Sequence, residues 1–289
     1  MKNTIKINVN VKEGGPLDHK TDLLILGHFS SSRQLGKNTS LVDRHLRGAI
    51  KQVLKLKDFE GKPETSCLIY NQSGKGPKRV LMVGLGEKKD MCLNILRKAA
   101  RASAQKAVEI KASAVSVRLH ECKGRKMQTS DAARVITEGI YHGAYCYDEL
   151  TSNPEKNRPR RLTASITEED ADKIKAVRKG IKTGRITGRA QNFSRTLANR
   201  PGNIIYPAAL ANEARRLARS TSNLTCTVFD EKKISKMGMG GIKAIGEGST
   251  HKPRFIVLKY RSKSAHAQKH PSIALIGKAV TFDSGGISL

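Results

Sequence analysis

The sequence predicts an α/β protein made of two units joined by a long helix. Three observations carry that expectation. Short apolar runs alternate with helix-period segments as far as Tyr145. A charged, proline-bearing stretch, residues 151–161, interrupts that alternation. One long polar helical pattern, residues 168–197, then leads into a second set of strands and helices. At 289 residues the chain has room for two domains of roughly 100–200 residues each.

The elements follow in order. Thr4 to Val11 alternates apolar and polar residues, the period of a strand. Leu23 to Leu26 is a continuous apolar run, the mark of a buried strand. Residues 41–54 read as one helix, with Leu46, Ile50, Val53 and Leu54 on its apolar face. Residues 67–70 and 80–83 read as strands, the second running into the turn Gly84-Leu85-Gly86. Residues 91–108 form an Ala- and Lys-rich helix, and residues 114–119 another strand. Residues 130–145 read as a helix capped by Ser130. Beyond the long helix comes the loop Asn199-Arg200-Pro201-Gly202-Asn203, then an amphipathic helix over residues 207–219. Residues 225–229, 255–258 and 273–276 read as strands, with a glycine-rich stretch, Met237 to Gly248, between the first two. The resulting division is 1–160 for the first unit, 161–198 for the connecting helix and 199–289 for the second unit.

Composition narrows the function classes. Lys plus Arg number 54 against 25 Asp plus Glu, a net charge of +29. Such an excess attracts polyanions and is also compatible with a merely solvated basic surface. The five cysteines are widely spaced with no C-x-x-C pair, which argues against a disulfide framework or zinc knuckle. The N-terminus has no apolar signal-peptide core, and no apolar run reaches the ~18 residues of a membrane span. The expectation is a soluble cytoplasmic protein. Gly84-Leu85-Gly86 lacks the third glycine of a dinucleotide turn, because position 89 is Lys, and reads as a plain β–α turn. His266 and His270 have i, i+4 spacing but lie in a polar segment. Neither H-E-x-x-H nor a serine elbow occurs. With 4% aromatic residues and no RNP or C₂H₂ pattern, stacking on bases is poorly provided for.

The chemistry concentrates in the last 19 residues. An apolar run over residues 272–276 enters Gly277-Lys278-Ala279-Val280-Thr281-Phe282-Asp283-Ser284-Gly285-Gly286-Ile287-Ser288-Leu289. This order puts a lysine and an aspartate past the end of an expected strand, where α/β sheets gather ligands. A carboxylate is an ordinary ligand for Zn²⁺ or Mn²⁺, whereas a lysine amine must first lose its proton, which burial beside a cation promotes. From the residues alone, a buried ion pair between Lys278 and Asp283 accounts for the pattern too.

The string Gly-Lys-x-x-Thr-Phe-Asp-Ser-Gly-Gly-Ile-Ser resembles the metal-binding signature of the leucyl aminopeptidases, the M17 or cytosol aminopeptidase family of metallopeptidases. Leu197 to Asn203, Gly238 to Ser249 and Pro253 to Tyr260 are similar to the family's stretches before the catalytic sheet. Glu138-Gly139 and Ala144 to Asp148 are similar to the close of its N-terminal domain. The resemblance implies a two-metal aminopeptidase using Mn²⁺ or Zn²⁺, which releases N-terminal residues such as leucine from peptides. Lys278 would hold one metal through its neutral amine and Asp283 would share both. Ala279 stands where the family has glycine. The family's catalytic lysine would come directly after Leu289, and further carboxylate ligands, in an Asp-x-Glu-Gly-Arg type motif, later still. The expectation is therefore an N-terminal domain plus the beginning of a mixed-sheet catalytic domain, inactive alone. The resemblance also implies a homohexamer. A different class, a non-catalytic nucleic-acid binder or scaffold derived from this family, follows from the charge, with DNA as its partner.

Overall fold

The computed structural model describes residues 5–32, 34–152, 158–262, 264 and 270–282. The chain divides into two compact units, Met1–Ser194 and Arg195–Leu289.

The first unit is built on a six-stranded sheet. Its strands are β1 (Lys6–Glu13), β2 (Leu23–His28), β3 (Ser66–Tyr70), β4 (Arg79–Gly84), β5 (Ala114–Val117) and β6 (Arg161–Glu168), in the order β1-β6-β5-β2-β4-β3. All neighbours run parallel except β3, which pairs antiparallel with β4. The central strands β2 and β4 are buried along almost their whole length. Such strands belong between two helical layers, which is why their sequences are continuous apolar runs.

Alternate residues of β2 face opposite layers. Leu24 and Leu26 pack with Val42, Leu46 and Ile50 of α1 (Lys37–His45), the segment after it and α2 (Ala49–Lys55). Leu23 and Ile25 share a larger core with Leu96 and Ala100 of α3 (Leu93–Glu109) and Ile136 and Ile140 of α4 (Thr129–Gly143). Helix α5 (Ala171–Asn199) adds Val177 and Ile181 to that core.

Glycines set how closely these helices approach. A Cβ on Gly139 or Gly143 would collide with the Arg97 or Arg101 carbonyl of α3. On α5, a Cβ at Gly180 or Gly184 would collide with backbone carbonyls of α4, and one at Gly188 would lie 2.7 Å from the Tyr141 Cβ. The side chain of Asn192 donates a 2.9 Å hydrogen bond to the Tyr141 carbonyl. The three glycines inside the long helical pattern are thus contact points, not helix ends.

Several sequence expectations need correction. Residues 41–54 are not one helix: α1 and α2 are separated by Arg47 and Gly48, both left-handed at φ 54° and 85°. The residue before α4 is Gln128, with no side-chain cap, so Ser130 is not the cap. Residues 161–168, expected as the beginning of the connecting segment, form β6, hydrogen-bonded between β1 and β5. Gly84-Leu85-Gly86 does turn from a strand toward a helix: Gly86 has φ +72°, and the Leu85 N–H donates to the His28 carbonyl.

The second unit holds α6 (Pro207–Ser220), β7 (Leu224–Phe229), α7 (Glu231–Lys236), α8 (Gly240–Gly246) and β8 (Phe255–Tyr260). The two strands pair antiparallel, with Phe229 and Phe255 opposite and stacked at 5.9 Å. The Asp230 side chain caps α7 by accepting from the Lys233 N–H. Residues 272–276, expected as a strand, have no regular structure, and Ile273, Leu275 and Ile276 are 88–95% exposed. A strand is completed by its hydrogen-bonding neighbour, and apolar composition alone does not supply one.

Candidate metal centre

The approach to the lysine motif is ordered by ordinary local chemistry. Pro201 accepts backbone N–H bonds from Ile204 and Ile205 and closes the loop before α6. Pro207 then opens that helix at its first turn, where a missing N–H costs nothing. Arg200 bonds Glu213 of α6 at 3.0 Å, with both side chains largely buried. Arg254, just before β8, bonds Glu231 of α7 at 2.6 Å. These pairs hold the loop 199–203 and the entry to β8.

Past β8 the motif itself is open. Lys278 is exposed, and its side chain has no hydrogen bond or ion pair among the described residues. Its carbonyl accepts the Val280 N–H at 3.2 Å. A Cβ at Gly277 would meet nothing within 4 Å among the described residues. Asp283 and the rest of the signature, through Leu289, lie outside the described residues, as does His266. Among the described residues no three His, Cys, Asp or Glu side chains come together to hold a metal ion. The described part of the chain therefore does not by itself assemble a metal centre. A cavity of about 330 Å³ between α7 and α8, lined by Glu231, Lys243, Glu247 and Lys252 among others, contains no motif residue.

A largely buried ionic group sits elsewhere and went unmarked in the sequence. It occupies the carboxyl ends of β1, β5 and β6. Arg118, almost fully buried, bonds Glu121 through Nε at 2.6 Å and donates to the Gly14 carbonyl at 3.1 Å. Asn38 also donates to Glu121, at 2.7 Å. His120 Nε2 lies 2.9 Å from the Glu168 carboxylate, both groups buried. Burial alone would raise the Glu168 pKa. Hydrogen bonds from His120 and from the Asp170 and Glu169 N–H groups outweigh it and hold the carboxyl at about 2. Every charge here has a strand end to pin, so the group acts as a clamp on the sheet. The only sequence signal was the cluster of charged residues, Arg118 to Lys123, immediately after the short apolar strand β5.

The thiols offer no alternative nucleophile within the core. All five cysteines are free. Burial pushes the Cys122 thiol up to about 12, far from a thiolate at neutral pH. No helix among the described residues is long and apolar enough to cross a membrane.

Comparison with known proteins agrees with this architecture. Residues 25–154 match the N-terminal domain model of the cytosol aminopeptidase family, and residues 192–289 match its catalytic domain model. A relative from Chlorobaculum parvum, named "Probable cytosol aminopeptidase", is 35% identical over 99% of this chain and 56% of its own length. One of the same name from Roseiflexus castenholzii is 34% identical over 98% of this chain and 54% of its own length. The chain thus spans about half the length of the curated relatives it matches. Among solved structures, a point mutant of tomato leucine aminopeptidase superposes with a TM-score of 0.77 at 22% identity, covering 91% of this chain and 53% of that one. The bottromycin maturation enzyme BotP in complex with Mn gives a TM-score of 0.66 at 24% identity, over 84% of this chain and 46% of that one. At those identities the likeness is one of fold. With both domain models matched in order, the chain belongs to the cytosol aminopeptidase family, the M17 peptidases.

Proposed function

We propose that this chain is the N-terminal part of a two-metal aminopeptidase that releases residues such as leucine from the amino ends of peptides. The observation that carries the reading is the string Gly277-Lys278 to Asp283-Ser284-Gly285-Gly286, inside the matched catalytic domain. Lys278 and Asp283 are its metal ligands, and Mn²⁺ or Zn²⁺ its ions. The manganese in the BotP complex supports a divalent ion of this kind. Bound in the complete enzyme, such ions supply Lewis-acid activation of water and of the scissile carbonyl. The exposed amine of Lys278 is free to take up that role, but one lysine and one carboxylate do not neutralise two dications. The 289 residues by themselves are accordingly inactive, and activity needs further carboxylates of the kind the signature's family places downstream. A cytoplasmic homohexamer is the assembly that goes with this reading.

The test uses the protein as its source cells make it. Its intact mass is measured, and hydrolysis of a leucine arylamide is followed with Mn²⁺ or Zn²⁺ present. Turnover that falls at least a thousandfold in both Lys278→Ala and Asp283→Asn supports the assignment. Wild-type turnover in either variant refutes that residue's role. Measurable turnover by the 289-residue polypeptide alone refutes its inactivity.

A further inference from the structure

The cavity between α7 and α8 lies wholly within the second unit. Its volume, about 330 Å³, is at the small end of the roughly 300–1,000 Å³ typical of small-molecule sites. Local bonds frame it. The Met239 N–H donates to the Ile234 carbonyl and closes the end of α7. Pro253 packs on Gly246 at the end of α8, where a Cβ would lie 2.6 Å from the Pro253 Cγ. Lys252 Nζ donates to the Glu247 carbonyl at 2.9 Å. Arg254, bonded to Glu231 at 2.6 Å, ties the next residues back to α7. Charged hydrogen bonds thus brace the gap from both helices.

Two kinds of group line it. Ile234, almost fully buried, and Pro253 form an apolar part, extended by the methylene stems of the lysines. The charged part is Lys232, Lys243, Lys252 and Glu247. Lys232 forms no ion pair among the described residues. Lys243 and Glu247 stand 3.8 Å apart, too far for a hydrogen bond. Lys252 uses one of its three donors on the Glu247 carbonyl and keeps two. Ammonium and carboxylate groups therefore remain available beside an apolar surface.

This combination selects the ligand. A bare anion would meet the lysines, but would face Glu247 and leave the apolar part unfilled. A hydrocarbon would fill the apolar part and leave both charges unanswered. A small zwitterion with an apolar arm answers all three: the lysines take its carboxylate, Glu247 its ammonium, and Ile234 and Pro253 its arm. We propose that this cavity binds a free α-amino acid with an apolar side chain the size of leucine. The binding is independent of the peptidase assignment; under that assignment the ligand is also the reaction's product.

The test is ¹H–¹⁵N correlation NMR of the 289-residue chain, kept metal-free with EDTA and titrated with L-leucine. Saturable shifts of amides within residues 231–253 are expected by about 10 mM leucine. Isovalerate lacks the ammonium, isoamylamine lacks the carboxylate and serine lacks the apolar arm. Each is expected to bind at least about fivefold more weakly than leucine. Lys232→Ala and Glu247→Gln should each weaken leucine binding by at least about fivefold. Lys236→Ala, which removes an exposed lysine of α7 outside the cavity lining, should stay within about twofold of wild type. Circular dichroism verifies that the variants remain folded. No shifts in this segment, or equal affinities for leucine and the three analogues, overturn the assignment. So do displacement of leucine by an equal concentration of inorganic phosphate and loss of leucine binding in Lys278→Ala. Turnover is not read, so failure here leaves the peptidase assignment untouched.

Discussion

The two units handle apolar residues in opposite ways. In the first, both faces of a mostly parallel sheet are covered, and β2 and β4 keep Leu23, Leu24, Leu81 and Val83 fully out of solvent. In the second, the apolar side chains buried among the described residues are Ile205, Ala211 and Ile234, while Leu258, Tyr260, Leu275 and Ile276 stand exposed. The residue types do not differ much; the number of hydrogen-bonded strands does. A two-stranded ribbon gives an apolar run neither a neighbour for its backbone nor a second layer for its side chains. Burial is thus a property of the completed sheet, not of the run.

Substitution should expose the difference directly. Leu81→Ala, in the first unit, is expected to cost about 2–5 kcal/mol, the range for truncating a buried leucine. Leu275→Ala, in the second, should shift stability by less than about 0.5 kcal/mol. Chemical denaturation of the two variants checks the pair, and equal losses would mean that residues 272–276 are buried after all.

The ionic clamp sharpens the contrast through pH. Glu168 titrates at about 2 in the fold against 4.5 ordinarily, so an unfolded chain binds its proton first as pH falls. The stability it contributes is present above about pH 4.5 and drains away between there and pH 2. Glu168→Gln should lower stability at pH 7 by about 1–3 kcal/mol, from the loss of charged hydrogen bonds, and flatten the acid dependence over that window. A variant whose unfolding midpoint still falls as steeply between pH 4.5 and 2 would show that other carboxylates carry it.

Glycines give the clearest change of sign. Gly180→Ala drives a methyl group into α4 and should destabilise by about 1–3 kcal/mol. Gly241→Ala, in α8, meets nothing within 4 Å and should stabilise by roughly 0.5–1 kcal/mol, since alanine is the better helix former. Thermal melts of the two variants, read at matched concentration, decide the signs.

Much of the first unit was legible because its signals are local. The apolar runs of β2 and β4, and the helical periods of α3 and α4, need no knowledge of the partner to be read. β6 was not legible in the same way. Arg161-Leu-Thr-Ala-Ser-Ile-Thr-Glu168 is half polar and adjoins a charged stretch, and it becomes a strand because β1 and β5 hold it from both sides. The break at Arg47-Gly48 had a signal, Gly48, that the surrounding helical period overrode. In the second unit β7 and β8 were readable from their β-branched and aromatic runs, and the structure pairs them with each other. Residues 272–276 carry an equally apolar run and form no strand pairing among the described residues.

The sequence by itself determined the α/β class, the alternation of elements in the first unit and the family, because periodicity and a contiguous signature are both properties of neighbours along the chain. Only the tertiary structure decided strand order, the placing of β6, the Arg118–Glu121 and His120–Glu168 clamp and the packing of the α5 glycines against α4. Those depend on residues up to about 150 positions apart meeting in space, as β1 does with β6. The pairing energies that choose between such meetings come from packing and hydrogen bonds that no single segment contains.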